Sequence, residues 1–197
     1  MRRGRLPRVS SRAGGSAGLA FVVVLLIEGG MVSLPTTAKS GAQIKAFYAA
    51  HASLVVAQQV LGLFAAVLFA AFATGLGAGR RRWLLVGTAL VVITEIATNI
   101  PPVIVALGNL APDAAHSMTL VEDLADAALF ASIGVFSVAA TIDQVAWVQA
   151  AGLVVAGLSL VRAVLSPLGV TALDYLAPTA FLALVLILSV RLLIRGR

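Results

Sequence analysis

The chain carries eight acidic side chains, and three of them, Glu28, Glu95 and Asp126, fall inside runs that are otherwise apolar. Glu95 sits in the densest of these, 94–102, where Thr94, Glu95, Thr98, Asn99, Pro101 and Pro102 interrupt an apolar segment running from Trp83 to Leu107. A carboxylate at the centre of a membrane helix costs roughly 2.5 to 3.5 kcal/mol on insertion scales, so it needs a cationic partner, a proton or a bound cation. Gln58 and Gln59 lie in a second apolar run and Arg162 in a third. The chemistry open to this set is proton or cation binding, or plain hydrogen bonding between helices.

Depth decides whether these groups can meet. With a rise of about 1.5 Å per residue across a hydrocarbon core of about 30 Å, Glu28 and Glu95 both fall roughly 17 Å from the cytoplasmic ends of their segments, and Asn99 and Arg162 roughly 22 Å. Counted from outside, Gln58 and Gln59 lie roughly 12 Å in and Asp126 roughly 9 Å, so one polar layer is expected in the outer half of the membrane. Thr88, Glu95 and Asn99 follow helical spacing and form one stripe, and Glu122, Asp123 and Asp126 share a face with Phe130. Asp126 and Arg162 match in depth on adjacent antiparallel segments and are expected to form an ion pair. That leaves Glu28 and Glu95 without a nearby cation. Either they share a proton or hold a cation, or they hydrogen-bond Gln58, Gln59, Asn99 or carbonyls freed by the prolines, joining helices for about 0.6 to 2 kcal/mol per contact.

Other chemistries find less support. His51 and His116 both fall outside the membrane, where a metal shared with Glu122 or Asp123 is conceivable, but two histidines at no diagnostic spacing read by default as solvated interfacial groups. The absence of cysteine removes disulfides, thiolate metal sites and thiol nucleophiles. Gly75-Leu76-Gly77-Ala78-Gly79 lacks the Lys and Ser or Thr of a phosphate loop and reads as a flexible helix end. No H-E-x-x-H or G-x-S-x-G motif occurs. No catalytic residue, metal ligand or cofactor is therefore assigned.

The elements that must position the polar set are transmembrane helices. The chain is 60% hydrophobic and 11% charged over 197 residues, with a mean hydropathy of +1.05, against about 45 to 50% apolar and 25% charged for soluble domains. The net charge of +6 is confined to short clusters between apolar runs, a topology signal and not a nucleic-acid face. An all-α polytopic bundle with six spans is expected, at about 17–34, 52–76, 83–107, 120–140, 146–166 and 174–193. A basic cytoplasmic tail (1–16) precedes this single domain (17–194), and a basic end (195–197) follows. A cleaved signal peptide competes for the first run, but 18 residues containing Glu28 favour a retained helix.

Four capping boxes are expected to open helices, at Ser40 to Gln43, Thr119 to Glu122, Thr141 to Gln144 and Thr171 to Asp174. Trp83 and Trp147 mark one interface, and Phe47, Tyr48, His51 and Tyr175 the other. Pro101 and Pro102 should kink the third helix near Asn99 or end it there, a kinked helix reaching Leu107 being the preferred reading, and 108–117 should be a loop. In this topology Arg2, Arg3, Arg5, Arg8, Arg12, Arg80, Arg81, Arg82, Arg191, Arg195 and Arg197 are cytoplasmic, Lys39 and Lys45 outside, and Arg162 within the membrane, which places both termini in the cytoplasm.

The string Ala46-Phe47-Tyr48-Ala49-Ala50-His51, the arginine run before Trp83 and the closing Ala177-Pro178 helix resemble the layout of small six-helix membrane proteins of unknown function from actinobacteria and other bacteria. The resemblance implies a multi-pass protein of the inner membrane and carries over no functional residues. The first functional reading is a non-enzymatic structural or scaffold protein with a buried polar layer. The second is a small transporter or channel-like protein using Glu95 and Glu28 as a proton or cation site, and an intramembrane enzyme comes third. The expected partners are the lipid bilayer and a protein partner or further copies of the chain; no nucleic acid is expected.

Overall fold

The computed structural model describes residues 10–77, 81–168, 170 and 172–195. The arginines at 2, 3, 5 and 8, together with Ala78, Gly79, Arg80, Gly169, Thr171 and Arg197, lie outside the described residues. Six α-helices form the protein: α1 (Ser11–Gly29), α2 (Gly41–Leu76), α3 (Arg82–Leu107), α4 (Pro112–Thr141), α5 (Ala146–Leu165) and α6 (Leu176–Arg195). All six are long and apolar enough to cross a membrane. Each helix packs on its neighbour in sequence, and α6 returns to α1, closing a ring across which α2 also meets α4. Arg12, Arg81, Arg82, Arg191 and Arg195 gather at one end of the bundle, and Lys39 and Lys45 at the other.

Where helices begin differs from the sequence expectation, and the reason is local. α1 starts at Ser11, with Ser10 as its cap, its hydroxyl accepting from the Ala13 N–H at 3.1 Å; the small residues 11–18 are helical because they pack against other helices. α1 ends at Gly29, and Glu28 lies in the last turn of its helix, away from the arginine end, instead of midway along it. The box at Ser40 and Gln43 is present. The box expected at Thr119 is not, because Pro112 supplies the first turn of α4, as suits a residue without a donor. The segment 108–117 is therefore mostly helix, and the Thr119 hydroxyl donates to the Ala115 carbonyl within it. Thr141 is likewise the last residue of α4, donating to Ser137 O, while α5 starts after Val145 without a side-chain cap. Asp174 precedes α6, which starts at Leu176.

α3 runs without interruption through Pro101 and Pro102. The break in helical dihedrals falls instead in α2, at His51 (φ −123°, ψ 17°), between the outer amphipathic turns and the spanning part of that helix. Tyr48 is fully buried there, not part of an interfacial belt.

Two packing features hold the ring together. Phe21, Phe69, Phe136 and Phe181, from α1, α2, α4 and α6, meet with centroids 4.7 to 6.3 Å apart in tilted and edge arrangements, each such pair contributing about 0.5 to 1.5 kcal/mol beyond burial. Small residues close the α1 contacts. A Cβ on Gly14 would stand 2.6 Å from the Cα of Gly75 on α2, and one on Gly15 2.8 Å from the Ser189 carbonyl on α6. Gly75 is thus a packing residue inside a helix, not part of a flexible end, and the αL cap at Gly77 (φ 98°) ends α2. Backbone approach of this kind is how membrane helices associate when burial of apolar surface gives no advantage over lipid. Gly14→Ala should therefore lower the thermal stability of the detergent-solubilised protein by about 1 to 3 kcal/mol through overpacking. Gly157→Ala, where a Cβ meets nothing within 4 Å, should raise it by up to about 1 kcal/mol through helix propensity.

Candidate functional site

The polar residues of five helices converge on one cavity of about 350 Å³, in the half of the bundle away from the arginine end. α2 supplies Gln58 and Gln59 and α3 supplies Glu95, Thr98 and Asn99, while Glu122 and Asp126 come from α4 and Arg162 from α5. Glu28 reaches the cavity from the last turn of α1, and α6 contributes Pro178, Phe181 and Leu182. All seven residues singled out in the sequence, Glu28, Gln58, Gln59, Glu95, Asn99, Asp126 and Arg162, line it.

Helical spacing explains the convergence. Gln58, Gly62, Ala66 and Phe69 are buried along one face of α2, and Glu95 and Asn99 are one turn apart on α3. The Asn99 amide nitrogen donates to the Glu95 carbonyl at 2.6 Å and lies 3.4 Å from Glu95 Oε1; the Thr98 hydroxyl donates to the same carbonyl at 2.7 Å. The Gln58 amide nitrogen donates to the carbonyls of Glu28 and Val32, both at 3.1 Å, and so ties the end of α1 and its exit chain to α2. Gly62 makes room for the junction: a Cβ there would come within 3.0 Å of Glu28 Oε1 and of Asn99 Nδ2, and closer still to Asn99 Oδ1.

The Asp126 and Arg162 pair forms as the depth argument expects, at 2.6 Å. Arg162 has a second anion, Asp174, at 3.4 Å, and its guanidinium lies 3.8 Å over the Phe130 ring. The sequence pattern did not connect Asp174, in the chain between α5 and α6, with this pair. Asp123, expected on the same face as Asp126, turns instead to the connection between α1 and α2, where Thr37 donates to it through its hydroxyl at 2.7 Å and its N–H at 3.1 Å.

Along the outer rim, the Tyr48 hydroxyl lies 3.4 Å from Glu122 Oε2 and His116 Nε2 lies 3.3 Å from the Thr37 carbonyl. His51 Nδ1 is 2.9 Å from the Phe47 carbonyl, with its ring stacked on Phe47, so the two histidines serve separate local contacts. Among the described residues no group of three or more His, Asp or Glu side chains is arranged to hold a metal ion. At the opposite end Arg81 pairs with Asp143, one element of the arginine run expected at that face.

No protein-family model, curated protein or solved structure matches the chain. The arrangement therefore speaks for itself. Its acidic side chains are Glu28, Glu95, Glu122 and Asp126, and its one lining basic residue among the described residues, Arg162, is engaged by Asp126 and Asp174. Three oxygens of lining residues, Glu28 Oε2, Gln58 Oε1 and Asn99 Oδ1, are buried without a hydrogen-bond partner among the described residues. Sequence reasoning missed Gly62, Tyr48 and Thr37. Nothing in a lone glycine, or in an aromatic residue beside Lys45, signals the side chain it will face across the bundle.

The Arg162 cluster is testable by a double-mutant cycle. Arg162→Gln leaves two partly buried carboxylates without their donor and should cost about 2 kcal/mol. Asp126→Asn alone should cost less, because Arg162 retains Asp174. The double variant should fall short of the sum of the singles, with a coupling of about 0.5 to 2 kcal/mol in detergent unfolding. Strict additivity would mean that the pair contributes no mutual stabilisation.

Proposed function

We propose that this chain is a small multi-pass protein of a bacterial inner membrane that binds and passes a cation or proton through the cavity centred on Glu28 and Glu95. The observation that carries this reading is the imbalance in that cavity: carboxyls from α1, α3 and α4 face space that Arg162 does not serve. A purely structural polar layer accounts for Arg162, Asp126 and Asp174, which form ion pairs with one another although Arg162 Nε makes no hydrogen bond among the described residues. It accounts poorly for Glu28, whose Oε2 has no partner, and for a cavity where dry packing would be expected. Buried polar groups are otherwise hydrogen-bonded, since each one left alone costs about 1 to 3 kcal/mol. Intramembrane carboxyls facing a bundle interior characteristically mark ion pathways and proton relays.

The inner-membrane setting rests on the distribution of arginines between the two ends and on the resemblance, drawn from the sequence alone, to small bacterial six-helix proteins. With the arginine end in the cytoplasm, the cavity belongs to the outer half of the membrane. A scaffold role would place the important surface on the lipid-facing exterior and leave the cavity incidental.

Reconstitution separates these possibilities. Proteoliposomes under an imposed potential, with an entrapped pH dye and parallel rubidium uptake, should show flux above protein-free vesicles. Removing one charge-assisted contact is worth about 1.5 to 3 kcal/mol, so Glu95→Gln and Glu28→Gln should each reduce flux about ten- to a hundredfold. Glu95→Gln should leave the unfolding temperature essentially unchanged, because its carbonyl, not its carboxyl, receives the short bond from Asn99. Unaltered flux in both variants would sink the proposal.

A further inference from the structure

The identity of the unpartnered atoms narrows what the cavity accepts. Gln58 is 7% exposed and Asn99 3% exposed, and both spend their amide nitrogens on backbone carbonyls: Gln58 on Glu28 and Val32, Asn99 on Glu95. Those bonds fix which end of each amide points away from the backbone. The ends left over are oxygens, and with Glu28 Oε2 they make three buried acceptors without a donor among the described residues; the lining's unpartnered donor, Arg162 Nε, lies 3.4 Å from Asp174 Oδ1 and is held by that ion pair. An occupant that satisfies them must bring several N–H or O–H groups, and the neighbouring carboxyls favour a positive one.

The rest of the lining sets its other properties. Phe21, Leu25, Phe69, Val92 and Phe181 form apolar walls, which give a metal ion no ligands but receive a hydrocarbon or aromatic body. A volume of about 350 Å³ falls within the range of about 300 to 1,000 Å³ usual for small-molecule sites. A bare proton needs no such space.

From this we infer that the occupant is a small organic ammonium ion, a protonated primary amine with an apolar body, its N–H groups directed to Glu28, Gln58 and Asn99 and its body against the phenylalanine walls. The inference rests on the cation reading above and adds two requirements to it: N–H donors, and a hydrophobic portion. A quaternary ammonium has the charge and the body but no donor, a neutral alcohol has the body and a donor but no charge, and ammonium itself has charge and donors but no body.

The test is calorimetric titration of the purified full-length protein in detergent at neutral pH, against micelle-only blanks, with benzylamine, benzyltrimethylammonium, benzyl alcohol and ammonium chloride. Benzylamine should bind saturably, and the other three at least about tenfold more weakly, as expected when a charge-assisted hydrogen bond or a buried apolar contact is lost. Glu28→Gln should weaken benzylamine about tenfold while the protein keeps its unfolding temperature. Should a variant not fold, the four-compound comparison on the natural sequence still decides the matter. Equal binding of the quaternary ion would overturn the inference, and so would the absence of saturable benzylamine binding. If benzylamine fails while proton or rubidium flux sensitive to Glu95→Gln persists, the amine is wrong and the cation reading stands. If both fail, the cation reading fails with it.

Discussion

A charge inside hydrocarbon has no water to turn to, and the outer half of this bundle is arranged around that constraint. Arg162 is the residue on which the arrangement turns. Its guanidinium bridges Asp126 on α4 and Asp174 before α6, and its face covers Phe130. One cation thereby links three successive parts of the chain and neutralises two of the acids. Arg suits this position because its planar, delocalised charge can serve two carboxylates and an aromatic face at once. Several of the polar groups that Arg162 does not reach are satisfied in another way. Asn99 and Thr98 turn back on the Glu95 carbonyl, Gln58 holds the end of α1, and Thr37 takes up Asp123.

The two halves of the bundle solve different problems. Toward the arginine end the helices close on small residues and aromatic rings: Gly14 against Gly75, Gly15 and Gly18 against α6, and Phe72 packed beside Phe69 and Phe136. Close backbone contact and ring packing supply cohesion without polar groups. Toward the other end the helices part enough to leave the cavity, and the contacts become hydrogen bonds from the connection between α1 and α2. The polar half depends on the apolar one, because only a ring held firmly at its base can leave room above it.

Much of this was legible in the sequence. Apolar runs of membrane length and arginine clusters announce six helices, and a rise of about 1.5 Å per residue is accurate enough to bring Glu95, Asn99, Asp126 and Arg162 to one layer. The Asp126 and Arg162 pair follows from depth and adjacency alone. What failed was punctuation. Thr119 and Thr141 have the spacing of capping boxes, yet both lie within α4, where their hydroxyls bond carbonyls four residues back. A box specifies a helix start only when no earlier turn is available, and Pro112 provided one. The two prolines do not end α3, which continues to Leu107, and a break in helical dihedrals falls at His51 of α2, where neither Pro nor Gly gives a sign. Contacts across the bundle, such as Tyr48 to Glu122 or Gly62 to Glu28, depend on relative helix rotation, which a single sequence encodes only diffusely.

The position of α1 shows how a shift of a few residues can alter function without altering fold. Had the helix run over 17–34, Glu28 would stand midway along a continuous span with its carbonyl committed to the next turn. The helix instead starts at Ser11, with Gly14, Gly15 and Gly18 packed against α2 and α6, and ends at Gly29. The carbonyls of Glu28 and Val32 are then available to the Gln58 amide. That engagement commits the amide nitrogen and leaves the glutamine oxygen buried without a partner among the described residues. The floor beneath consists of Phe21, Phe69 and Phe181, which touch one another and Phe136. Passage from the cavity to the arginine end therefore requires these rings to separate. On the proposed reading, this aromatic cluster is the barrier that a solute held at the polar layer has to pass.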